Sequence, residues 1–135
     1  MKSPIFTGIV ALLVTLGAIR AAAHHSFAAE YDDKKPITIE GKVSEMRWAN
    51  PHAWIYLDVT GADGKVEKWS FETGGANALF RRGWRKDDLP AGTELKIDGW
   101  QARNGSKTVN ARSITFKKDG RRLFAGTSNT NATEK

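Results

Sequence analysis

The chain has 135 residues, with 21 lysines and arginines against 15 aspartates and glutamates and a formal charge of +6; a chain of this length builds one modest core and has no room for several domains. It contains no cysteine, which excludes disulfide staples, thiolate metal sites, a cysteine nucleophile, thioether-bound haem and lipid attachment at an N-terminal cysteine.

Lys2, the apolar run from Ile5 to Ile19 and the small residues Ala21-Ala22-Ala23 form the three parts of a secretory signal peptide. The run is shorter than the roughly 20 residues of a transmembrane helix, and Arg20 closes it. Residues 1–23 are therefore expected to be removed, leaving a periplasmic or secreted protein with no stable membrane insertion. Loss of Lys2 and Arg20 lowers the formal charge from +6 to +4, a solvated surface rather than a nucleic-acid footprint.

Residues 24–35 show no sustained period and read as an N-terminal arm. From Pro36 the pattern is β: Ile37, Ile39, Gly41 and Val43 alternate with Thr38, Glu40 and Lys42, predicting a long first strand with a glycine bend that stops at Asn50-Pro51. A second strand from Trp54 to Thr60 places Ile55, Leu57 and Val59 on one face and Trp54, Tyr56 and Asp58 on the other. Asp63-Gly64 marks a hairpin turn into a third strand from Val66 to Glu72, with Trp69 and Phe71 on one face. Gly74-Gly75 then precedes a short helix that Asn77 would cap and Gly83 would stop. A fourth strand spans about Thr93 to Ala102 with Leu95 and Ile97 inward, and a fifth about Val109 to Phe116. Asp119-Gly120 turns the chain to Leu123-Phe124, and residues 126–135 form a polar tail.

Five strands with one short helix between the third and fourth match an all-β, OB-like Greek-key barrel over residues 36–125. In such barrels the surface of strands 2 and 3, with the loops joining strands 1–2 and 4–5, makes the binding face. Those loops here are Asn50-Pro51-His52-Ala53 and Arg103-Asn104-Gly105-Ser106-Lys107.

The segments His24-His25-Ser26-Phe27-Ala28-Ala29-Glu30-Tyr31-Asp32, Asn50-Pro51-His52-Ala53-Trp54, Arg82-Gly83-Trp84 and Gly120-Arg121-Arg122-Leu123-Phe124 resemble domain-of-unknown-function family 6152. The resemblance covers essentially all of the mature chain. It implies a short exported bacterial protein and brings no established activity.

All three histidines, His24, His25 and His52, lie at the expected mature terminus or in the loop after the first strand. Cleavage after Ala23 would place a free α-amine beside the His24 imidazole, a two-nitrogen chelate that His25 or His52 would complete. Amine and imidazole donors in tetragonal arrangement suit Cu(II). The plain alternative is that His24 and His25 are solvated and that His52 bonds backbone groups. A second reading is a ligand-binding or protein-interaction module without metal, in which Trp54, Tyr56 and Trp69, with Arg103 nearby, stack a flat ligand; against this, such rings are usually core. A third is a subunit that only contacts a protein partner in the cell envelope. The Arg81–Lys86 cluster reads as a solvated face. No phosphate loop, nucleophile elbow or zinc-protease motif is present, so no enzyme is expected.

Overall fold

The computed structural model describes residues 27–126. The chain divides into two units, Met1–Glu30 and Tyr31–Lys135. In the first, residues 27–30 are helical; the expected leader, His24 and His25 lie outside the described residues, as does all of the polar tail beyond Gly126. The second unit contains β1 (Tyr31–Arg47), β2 (Trp54–Thr60), β3 (Val66–Glu72), α1 (Ala76–Arg81), β4 (Glu94–Ala102), β5 (Thr108–Phe116) and β6 (Arg122–Phe124). No helix among the described residues is long and apolar enough to cross a membrane.

The sheet runs β3-β2-β1-β4-β5-β6, and a further β3–β5 pairing closes the first five strands into a ring. That pairing is parallel; the others are antiparallel. With α1 between β3 and β4, the fold is the expected OB-like barrel, extended by one short strand. One edge of β5 is shared in sequence: residues 108–110 take β3, and residues 113–115 take β6.

Alternation in the strands maps onto the barrel wall. Ile55, Leu57, Phe71, Leu95, Ile97, Val109 and Ile114 are completely buried, each contributing roughly 1.5–3 kcal/mol by leaving water. Trp84 is the largest fully buried side chain, and its indole Nε1 donates to the carbonyl of Phe124 at 3.2 Å. The Arg81–Lys86 stretch is therefore a charged face only in part, because its tryptophan and the preceding Leu79 plug the core.

Two expectations are corrected. The first strand begins at Tyr31 rather than Pro36, so residues 31–35 are strand and not arm: Tyr31 pairs with Ala102 across an irregular register that resumes at Pro36. Between these two pairs Asp33, Lys34 and Lys35 are exposed, so the stretch carries no apolar alternation. The N-cap of α1 is Gly75, with no side-chain cap of its own. Asn77 instead donates its backbone N–H to Asn50 Oδ1 at 3.2 Å, and Ala76 N–H donates to the carbonyl of Ala49 at 2.9 Å. The β1–β2 loop thus satisfies donors that the helix start would leave orphaned.

Candidate functional site

The loop carrying His52 is held from both sides. Its Asn50-Pro51 bond is cis, and its far end is stitched to the β3–α1 segment: Ala53 N–H donates to Gly74 O at 3.3 Å, and Thr73 N–H donates to Ala53 O at 3.0 Å. The Thr73 hydroxyl adds a second donation to Ala53 O, also at 3.0 Å. A Cβ on Gly75 would lie 2.4 Å from the carbonyl oxygen of Pro51, so only glycine lets the two segments approach this closely.

At the end of this loop the His52 imidazole sits against the last residue of β3. Nδ1 is 3.1 Å from Glu72 Oε1 and 3.2 Å from the carbonyl of Thr73. Both neighbours are acceptors, so Nδ1 carries a proton, and in the neutral imidazole Nε2 is the nitrogen with the lone pair. Nε2 meets no partner among the described residues, and the side chain is 42% exposed, against 11% for Glu72. The second carboxylate oxygen of Glu72 accepts the phenolic hydroxyl of Tyr31 at 2.5 Å. Tyr31 is itself buried. A carboxylate shielded from water is therefore held between a phenol and a partly exposed imidazole.

Glu72 belongs to a row that crosses the outer face of the barrel. Directly opposed residues share a face, and the register runs from Trp54 to Glu72, on to Asn110, then to Trp100 and Pro36. Asn110 is 1% exposed, and its Oδ1 meets no donor among the described residues.

The four residues expected to form one ligand platform are separated by the same register. Trp54 and Tyr56 lie on the outer face, with the Arg47 guanidinium 5.8 Å from the Tyr56 ring centre. Trp69 opposes Leu57 and packs against the core. Arg103 lies in the β4–β5 turn, 3.9 Å from Asp32. Facing positions on antiparallel strands share a side, so Trp69 goes inward with Leu57 while Tyr56 goes outward.

Of the three histidines, only His52 is among the described residues, and among these no group of three or more His, Asp or Glu side chains is arranged to hold a metal ion. The Glu72 and Tyr31 contacts had no distinguishing signal in the sequence, since they join residues 20 and 41 positions apart, with 41 for the Tyr31–Glu72 bond. The one local hint was that Glu72 ends a strand whose neighbour enters through the His52 loop.

The closed barrel, with a polar cluster on its outer wall, defines a small OB-like all-β module. A family model described as "Family of unknown function (DUF6152)" matches residues 12–111, and the chain belongs to that family. No curated protein matches. Among solved structures, the chain is similar to the dimeric N-terminal domain of the PriB protein from Thermoanaerobacter tencongensis, at 21% identity and a TM-score of 0.41, over 62% of this chain and 97% of that one.

Proposed function

We propose that the chain is an exported binding protein that holds a transition-metal ion, copper(II) first, with Nε2 of His52 as one ligand. The observation that supports this reading is the engagement of Nδ1 by Glu72 and the Thr73 carbonyl. A histidine fixed through one nitrogen by a carboxylate offers the other as a well-oriented, more basic donor, the usual outer-shell arrangement of metal-bound histidine. The remaining donors are assigned on chemical grounds to the mature terminus: the α-amine and imidazole of His24, and His25. Amine and imidazole nitrogens suit Cu(II).

The test uses protein purified after authentic export. Its intact mass should correspond to a chain beginning at His24. In calorimetric titration it should bind one Cu(II) and release protons, because an α-amine of pKa about 7.7–8.0 must lose its proton to bind. His52→Ala should weaken affinity at least tenfold, and so should one additional Met before His24, which keeps every imidazole. Unchanged affinity in His52→Ala removes the barrel from the site. Unchanged affinity in the extended chain removes the terminal chelate.

A further inference from the structure

A second feature of the outer wall is independent of His52. Between β1, β4 and β5 lies a hollow of about 210 Å³, lined by Pro36 and Thr38, by Asp98 and Trp100, and by Arg112. Its shape follows from the register. Asp98 opposes Ser113, whereas the next residue, Gly99, opposes Ala111, so Arg112 is the extra residue of a bulge. Bulges re-aim the side chain they insert. The strands are also unusually close there: a Cβ on Gly99 would fall 2.2 Å from the carbonyl oxygen of Asn110.

The charges in this hollow do not cancel. Asp98 is fully engaged: Oδ1 accepts the Thr38 hydroxyl at 2.7 Å, Oδ2 accepts the Ser113 hydroxyl at 3.1 Å, and Arg122 lies 3.7 Å from Oδ2. Arg122 also donates to Ser113 Oγ at 2.8 Å. Arg112 is half-buried, and its backbone carbonyl accepts the N–H of Ala125. Its guanidinium, however, bonds no group among the described residues. A planar fork of donors is thus left unpaired beside the Trp100 side chain, in a recess whose one carboxylate already serves other partners.

We propose that this hollow binds the carboxylate of a small organic acid, with Arg112 as its bidentate anchor. Guanidinium and carboxylate match in shape and charge. A single unpaired cation suits a monoanion better than a doubly charged phosphate. The volume equals about seven waters at roughly 30 Å³ each, so the ligand has on the order of ten non-hydrogen atoms. Trp100 and Pro36 supply the apolar wall for its body.

The test is an NMR titration of the exported protein, following the Trp100 indole and Arg112 Nε resonances, with benzoate as the probe. Benzoate should saturate both resonances together with a Kd in the millimolar range, while benzamide, its neutral counterpart, should not move them. Arg112→Gln should lose at least tenfold in affinity, and Arg112→Lys should fall between. Both variants should melt like the parent, since the guanidinium bonds no group among the described residues. The proposal is overturned if benzoate leaves both resonances unmoved at 20-fold the expected Kd, or if benzamide or Arg112→Gln binds equally well. Inorganic phosphate moving the same resonances as strongly as benzoate would overturn the carboxylate assignment. None of these outcomes depends on whether His52 binds copper.

Discussion

Removing one oxygen from Tyr31 tests whether the buried cluster holds the barrel together. In Tyr31→Phe the ring keeps its packing, and Glu72 Oε2 loses the hydroxyl it accepts at 2.5 Å. Hydrogen bonds to charged groups contribute about 1.5–3 kcal/mol, and the upper part of that range applies where water cannot replace the lost donor. Glu72 is 8% exposed and Tyr31 4%, so replacement is poor. We expect a loss of about 2 kcal/mol, which in a domain of this size lowers Tm by roughly 8–16 °C. Tyr56→Phe is the internal control. Tyr56 stands on the outer face, and its hydroxyl bonds nothing among the described residues, so its loss should cost less than about 0.5 kcal/mol. Urea unfolding followed by tryptophan fluorescence measures both at constant pH. If Tyr31→Phe unfolds within 0.5 kcal/mol of the parent, or if Tyr56→Phe is equally damaging, the cluster carries no such energy.

Gly75→Ala should destabilise by about 1–3 kcal/mol through overpacking, because the new methyl would meet Pro51 O at 2.4 Å and Asn50 Oδ1 at 2.7 Å; a midpoint equal to the parent's would show that the loop yields freely. Asn110→Val should melt at or above the parent's Tm, since the Oδ1 it removes is buried and unpartnered, and a marked loss would reveal a partner for that amide. The exposed Glu40–Lys117 ion pair, 2.6 Å apart, holds Glu40 below the usual carboxylate range, chiefly through the hydrogen bond from Lys117. The same bond from the other side holds Lys117 above the usual lysine range. Its contribution is therefore complete between the ordinary carboxylate and lysine values, and is lost as pH falls through the lowered Glu40 pKa or rises through the raised Lys117 pKa. Lys117→Met should flatten a small part of the pH–stability profile at both ends, and 1 M NaCl should shrink the difference from the parent.

Period and punctuation made most of the barrel legible in the sequence. Ile55 and Leu57 alternate with polar neighbours, and Asp63-Gly64 closes the β2–β3 hairpin, because side-chain alternation and turn chemistry are local properties of the chain. The order of elements, with one short helix after the third strand, was enough to name the OB-like architecture. The three-residue β6 was not legible as a strand, since it is held by the edge of β5 that β3 vacates rather than by any pattern of its own. Residues 31–35 carry no pattern of their own either: Tyr31 pairs with Ala102, the register is irregular up to Pro36, and Asp33, Lys34 and Lys35 stay exposed.

The sites divide along the same line. The sequence by itself determined that His52 sits in a loop beside a strand start, because Asn50-Pro51 must break the chain there. Only tertiary structure decided what that imidazole meets, as Glu72 reaches it from the end of β3 and Tyr31 in turn reaches Glu72 from β1. It also decided that Trp69 turns inward, away from Tyr56, because a shift of one residue in pairing exchanges the two faces of a strand. The unpaired Arg112 is likewise a product of register: a bulge is a mismatch between two strands, and no single strand's sequence contains it.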